Sequence, residues 1–465
     1  MQTYKSMTLI KSISGIRGTI GGREDESLTP LDVVKYTTAF ADVIITGDNK
    51  KVVVGRDARL SGEMVNMLVC GTLISKGIDV IDLDLSTTPT VEMVVVKEKA
   101  AGGIILTASH NPKQWNALKL LNAEGEFISA EQGSDIIAKV KSSDFEYNDI
   151  DAIGSYELKE GTIDWHIDEI LKLDMVDIEA IKAKNFSVVV DAVNSSGGIA
   201  VPALLRKLGV SDVVELYCDP TGHFPHNPEP RPEHLTDLSS AVVKNKAHLG
   251  ITVDPDVDRL AFVNEDGEMF GEEYTLVAVA DYVLSQKKGN TVSNLSSTRA
   301  LRDVTEKHGG IYSASAVGEV NVVKMMKETN AVIGGEGNGG IILPELHYGR
   351  DALVGIALFL THLAKSGKPM SHLKASYPGY IISKNKIELT PELDVDLILE
   401  KLKEKYKNQP INTIDGVKIE FDKEWVHLRK SNTEPIIRIY AEGSTLSVAD
   451  SLANKIKSDI KELLA

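Results

Sequence analysis

Cysteine is nearly absent from this 465-residue chain, which has two, Cys70 and Cys218, each inside an apolar stretch. That excludes a disulfide-stapled fold and a cysteine-based metal knuckle, and it fits a reducing compartment. Long apolar runs are also missing. No segment approaches the roughly 18 uninterrupted apolar residues a membrane helix needs, and the opening MQTYKSMTLIKSISG has none, so a cytoplasmic chain without a membrane partner is expected. Basic charge is in deficit: 51 Lys and Arg stand against 67 Asp and Glu, a net charge of -16. No Lys/Arg cluster is interleaved with aromatics, which make up only 5% of the chain, so a nucleic-acid partner is excluded. An anionic small molecule would need local cations, and arginines and lysines near loops become the informative ones.

At 465 residues the chain exceeds the roughly 250 to 300 residues at which a single core stops growing, so three or four domains are expected. A unit of strand, polar turn, helical stretch and two further strands is written three times. The first begins with KVVVGRDARLSGEMV and ends GGIILTASHNP; the second runs from FSVVVDAVNSSGG to LGITVDPDVDR; the third runs from TVSNLSSTRALRDV to NAVIGGEGNGG. Val/Ile/Leu strands alternating with helical segments imply buried, mostly parallel sheets in α/β layers. In such sheets ligands gather beyond the carboxyl ends of strands, where TASHNP, DPDVDR and GEGNGG all fall. Past about residue 370 the pattern becomes that of an α+β domain with an antiparallel sheet.

Chemistry concentrates in those loops. Asp254, Asp256 and Asp258 alternate after a strand, and three such carboxylates suit one hard cation, Mg²⁺ first. A calcium-hand reading fails on Arg259, which stands where that loop needs glycine. Ser109, followed by His110, is a candidate nucleophile or phosphate acceptor, although a plain Ser-His turn reads the same way; no G-x-S-x-G elbow surrounds it. Lys119 is a proton shuttle if burial lowers its pKa, and otherwise an exposed lysine. Arg17 in GIRG and Arg56 in GRDAR, read as loop residues, are phosphate candidates. Glu336 and Asn338 offer an acceptor and an amide for sugar hydroxyls on a glycine-rich loop. Ser431 and Thr433, with Arg429 and Arg438, suit a phosphate that is held without reacting. His223 and His226 hint at zinc, but no third ligand is near.

In order along nearly the whole chain, GIRG, VVVGRDAR, TASHNP, GHFPHNPEP, the aspartate loop, the glycine-rich loop and Ser-x-Thr-Glu-Pro together resemble the α-D-phosphohexomutase superfamily. The resemblance implies three similar α/β domains with mixed, mostly parallel sheets plus a C-terminal α+β domain around a central cleft, divided as 1–150, 151–263, 264–370 and 371–465. It implies that Ser109 is the phosphoserine and that Ser109, Asp254, Asp256 and Asp258 hold Mg²⁺. Arg17, His110 and Lys119 would assist catalysis. Arg259, Gly318, Glu336, Asn338, Arg429, Ser431, Asn432, Thr433 and Arg438 would bind substrate.

The implied activity is transfer of phosphate between the 1- and 6-positions of a hexose phosphate through a sugar 1,6-bisphosphate, by a monomer or homodimer. Glucosamine phosphate is the first expectation and a broad phosphoglucomutase/phosphomannomutase the second. A non-catalytic sugar-phosphate sensor and a metal-dependent phosphatase are the readings from other classes. Departures from the usual pattern are Pro255 and Val257 in place of glycines, Ala117 after Asn116, Lys430 and Asn432 in the distal loop, and Asn338 in place of serine.

Overall fold

A computed structural model describes residues 7–12, 15–388, 394–430 and 436–464. The three repeats are three sheets built on one permutation. In the first, Gly102–Leu106, Lys51–Arg56 and Asp79–Leu85 lie parallel in that spatial order. The second repeats it with Leu249–Val253, Ser187–Asp191 and Asp212–Leu216, and the third with Ala331–Glu336, Asn290–Asn294 and Tyr312–Ser315. Each time the third strand in sequence pairs with the first, which pairs with the second.

The first two sheets are mixed, because Trp115–Leu121 and Leu260–Asn264 add antiparallel to the third strand of their repeats. The C-terminal sheet is antiparallel throughout, in the order Ile381–Glu388, Ile436–Gly443, Trp425–Lys430, Val417–Glu420, Ile411–Asn412. Helices Val395–Lys405 and Leu446–Leu464 contribute Leu402, Ala453 and Ile456 to its core.

One element of each repeat was not foreseen. Helices Thr88–Lys97, Thr236–Asn245 and Glu319–Thr329 stand between the second and third strands, where sequence reading places a direct strand-to-strand run. The physical reason is general: neighbouring parallel strands need a crossover of a dozen or more residues. In TPTVEMVVVK the first turn is marked by Thr87, whose hydroxyl accepts the Thr90 amide, and by a proline in the first turn.

The chain forms two compact units, one comprising the chain up to Thr275 with Gly339–Ser371, the other Leu276–Asn338 with the chain from His372 onward. The first unit is organised on helix Ala352–Ser366, apolar on nearly all sides and packed against helices Thr162–Leu171, Ile178–Lys184 and Gly197–Lys207. In the second unit the antiparallel sheet is pinned to the turn after Asn290–Asn294: Lys418 donates to Leu295 O at 2.8 Å, His427 meets the Ser296 hydroxyl at 2.9 Å, and Glu442 accepts the Arg299 amide at 3.1 Å. Among the described residues no helix is long and apolar enough to cross a membrane.

Candidate active site

The loop after Gly102–Leu106 is shaped by its own side chains. Thr107 accepts the Ser109 amide at 2.9 Å and donates its hydroxyl to Asp57 at 2.6 Å. This turn leaves Ser109 with a left-handed backbone, φ +48°. Arg59, fully buried, locks the loop with every N–H it has. Its Nε donates to Asp57; one terminal nitrogen donates to the carbonyls of Pro112 and Trp115, the other to those of Ser109 and Asn111. The arginine of GRDAR that holds this loop is Arg59, while Arg56 ends a strand and pairs with Asp84 at 2.6 Å.

Asp254, Asp256 and Asp258, all buried, follow strand Leu249–Val253 with one oxygen from each within 4.8 Å of the others. The Ser109 hydroxyl donates to Asp254 Oδ2 at 2.8 Å across 145 residues of sequence. Backbone holds the loop from several elements: Ser195 Oγ donates to Pro255 O at 2.8 Å, the Thr88 amide to Asp256 O at 2.9 Å, and the Ala352 amide to Val257 O at 3.1 Å. Thr88 Oγ1 also donates to Asp256 Oδ2 at 2.6 Å.

Cations surround the carboxylates. Lys119 lies 2.7 Å from Asp256 and 3.3 Å from Asp258, and Arg350 donates to Asp258 at 2.7 Å. The Arg259 amide donates to Asp254 Oδ1 at 3.1 Å, and its guanidinium is 4.0 Å from Asp258. Burial, then the charges of Asp258 and Asp256, push Asp254 well above the usual carboxylate range. Burial acts on Asp258 in the same direction, but Arg350, Lys119 and Arg259 outweigh it and hold that carboxyl low.

The donor set fits a hard cation on an independent observation: Asp256 Oδ1 and Asp258 Oδ1 are buried with no hydrogen-bond donor. Such atoms are costly to bury unless a ligand completes them.

Family models for phosphoglucomutase/phosphomannomutase match the chain from end to end: alpha/beta/alpha domain I over residues 9–147, domain II over 164–267, domain III over 271–380 and the C-terminal domain over 388–458. The chain belongs to this phosphohexomutase family. It is 37% identical to a phosphoglucomutase/phosphomannomutase of Thermococcus kodakarensis, covering 92% of this chain and 94% of that one. It is 32% identical to a phosphoglucosamine/phosphogalactosamine mutase of Sulfurisphaera tokodaii, covering 96% and 98%. The crystal structure of a phosphoglucomutase/phosphomannomutase family protein from Burkholderia thailandensis superposes with a TM-score of 0.83 at 27% identity, covering 97% and 96%. Phosphohexomutase activity, an isomerase activity, follows from this kinship.

Within this phosphohexomutase, other expected residues fall as follows. His110 Nδ1 is 3.3 Å from Ser109 Oγ. Burial, then Arg259, hold its pKa well below the usual imidazole value, so the ring is neutral. Arg17 lies in strand Gly15–Thr19 rather than in a loop, opposite Ala117 in the ladder and so on the same face as Lys119. Lys119 itself corrects an expectation. Burial lowers its pKa as anticipated, but Asp256 and Asp258 overcome that and raise it, so the lysine is held protonated. The signal was present, since the two aspartates that raise it, 137 and 139 residues away, were already marked as part of one cluster.

In the second unit, Glu336 Oε1 accepts from Asn294 at 2.8 Å and from the Gly318 amide at 3.2 Å, and the Asn338 amide lies 3.5 Å from Glu336 Oε2. Gly318, Glu336 and Asn338 thus meet. Arg429 and Arg438 are direct partners across adjacent strands, and Lys386 pairs with Arg438 on its other side. Three cations in one row repel, and Glu388, 3.6 Å from Lys386, with the charge of Asp415 acting on Arg429, offsets part of that repulsion. Ser431, Asn432 and Thr433 lie outside the described residues. Arg59, Thr88, Arg350 and Lys386 were missed by sequence reasoning; only Arg59, inside a recognised motif, offered a signal. His226, a weak zinc hint, instead bonds Asp191 at 2.9 Å.

Proposed function

We propose that this phosphohexomutase moves phosphate between the 1- and 6-oxygens of glucosamine phosphate through a phosphorylated Ser109. The observation that carries the reading is the Ser109 hydroxyl 2.8 Å from Asp254, beside two carboxylate oxygens that lack donors and amid Lys119, Arg259 and Arg350. Asp254, Asp256, Asp258 and the serine's phosphate would hold Mg²⁺, which when bound would supply charge neutralisation at the transferring group.

In this reading the P–O bond to Ser109 Oγ breaks as one forms to the free sugar hydroxyl. The other phosphate returns to Ser109 after the bisphosphate has turned round. Lys119 and Arg259 offset negative charge on the phosphoryl group, so positioning and electrostatics lower the barrier. His110, 3.3 Å from Ser109 Oγ, takes the proton of the attacking sugar hydroxyl and returns it to the departing Ser109 Oγ, and Arg17 steadies the phosphate. Gly318, Glu336 and Asn338 read the sugar hydroxyls, and Arg429, Ser431, Asn432, Thr433 and Arg438 grip the distal phosphate. The division at 1–150, 151–263, 264–370 and 371–465, one loop from each domain, belongs to the same proposal.

The competing substrate reading is a broad phosphoglucomutase/phosphomannomutase, favoured by the name of the 37% identical relative. A coupled assay with Mg²⁺ and a trace of sugar bisphosphate separates the two. A kcat/KM preference for glucosamine phosphate is expected, and faster glucose or mannose turnover would promote the second. Ser109→Ala should lower kcat by at least about 10³-fold with sugar-phosphate binding retained; near-normal turnover would remove Ser109 from the mechanism.

A further inference from the structure

In the interior of the first unit, apart from the Ser109 loop, side chains from three segments converge. They are Glu92 on helix Thr88–Lys97, His166 on helix Thr162–Leu171, and His347 with Asp351 just before helix Ala352–Ser366. His166 and Asp351 are fully buried, and the His347 side chain is 10% exposed. His166 Nε2 lies 2.9 Å from Asp351 Oδ2 and His347 Nε2 lies 3.4 Å from the same oxygen. The ligating atoms of the three residues fall within 4.8 Å of one another. The mutase chemistry uses none of them.

The far side of each ring matters as much. His166 Nδ1 is 2.9 Å from Thr90 Oγ1, and His347 Nδ1 is 3.5 Å from Glu92 Oε2. The Thr90 contact is a hydrogen bond, which fixes the tautomer and aim of His166 as behind a metal-bound histidine, and Glu92 places a carboxylate at ion-pair distance behind His347. Four-coordinate Zn²⁺ with bonds of about 2.0 to 2.1 Å separates its ligand atoms by about 3.3 Å, close to the spacings here. Asp351 Oδ1 is occupied by the Leu353 and Val354 amides, which leaves Oδ2 for the cluster.

We propose that His166, His347 and Asp351 form a second metal site for a divalent transition ion of the Zn²⁺ type, with Thr90 orienting the His166 ring and the Glu92 carboxylate placed behind His347. The site is structural. Asp351 stands between Arg350, bonded to Asp258, and Ala352, whose amide holds Val257 O, so an ion on Asp351 braces the aspartate loop from behind.

The test uses the full-length enzyme, stripped with a chelator and titrated with Co²⁺ in excess Mg²⁺. One equivalent of Co²⁺ should bind with the intense visible absorption of a four-coordinate, nitrogen-containing site. The signal should survive Asp256→Asn, weaken by about 10 to 100-fold in affinity in Glu92→Gln, and vanish in His347→Gln. Zn²⁺ should displace Co²⁺ and raise the Tm of the stripped enzyme. Only the weak bands of a six-coordinate oxygen site, lost in Asp256→Asn, would overturn the proposal. If His347→Gln does not fold, the wild-type spectrum and Tm decide alone: no intense band and no Zn²⁺-dependent shift refute it.

Discussion

Val257 sits between two proposed metal ligands at φ +64° with its side chain fully buried. A left-handed backbone costs a non-glycine residue about 1 to 2 kcal/mol, and a β-branched side chain is especially disfavoured there. Burying the valine side chain returns about 1.5 to 3 kcal/mol. Val257→Gly should therefore destabilise by no more than about 2 kcal/mol in a thermal melt, because relief of the backbone offsets part of the lost burial. The gain in backbone freedom should raise the Mg²⁺ concentration needed for half-maximal activity several-fold; an unchanged requirement would show that the valine does not stiffen the loop.

Arg59 shows a residue whose role only its partners reveal. Lysine keeps the charge but cannot place five donors on four carbonyls and a carboxylate. Arg59→Lys should lower kcat/KM by about 10 to 100-fold through a displaced Ser109 loop, since ångström misplacement costs that much. Steady-state kinetics check it, and unaltered kinetics would make the arginine purely structural. Sequence reading chose Arg56 from the same motif because nothing local tells which of two arginines three positions apart turns inward. That depends on where the strand ends and what covers it.

At the scale of elements, the connecting segment with His223 and His226 is tied to the end of strand Ser187–Asp191 by the His226–Asp191 bond. Burial lowers the pKa of His226, but its bond to Asp191 and the aspartate's charge more than compensate and raise it above the ordinary value. The folded state thus binds the proton more tightly than the unfolded chain. The resulting stabilisation is fully present below the unfolded pKa, about 6.5, and is lost as pH rises through the folded value. The Tm deficit of His226→Gln relative to wild type should be largest near pH 6 and shrink toward pH 9. A deficit independent of pH would mean that the histidine is neutral in this pair.

The strands of all three repeats were legible as apolar runs, but the crossover helix between second and third strands was not. TPTVEMVVVK reads as readily as a buried strand, and only parallel pairing of its neighbours requires it to be a helix. Likewise Lys119 was recognised as a candidate, yet the sign of its pKa shift followed from carboxylates more than a hundred residues away.

At the scale of the whole molecule, a chain of net charge -16 binds an anion only by concentrating its cations. The row of Lys386, Arg438 and Arg429 across three strands is one such concentration. Arg438→Ala should raise KM for the hexose phosphate about tenfold or more, the equivalent of one charge-assisted hydrogen bond of about 1.5 to 3 kcal/mol. Steady-state kinetics measure it, and an unchanged KM would put the distal phosphate elsewhere.

The sequence by itself determined the repeat, the family, the phosphoserine candidate and the aspartate loop, because strand ends and their loops are local patterns of a few residues. The tertiary structure alone decided that Thr88, Arg350 and Ala352 hold that loop, that Arg429 faces Arg438, and that His166, His347 and Asp351 meet. Those contacts join residues distant in the chain, and they depend on sheet register and helix packing, which no short stretch of sequence encodes.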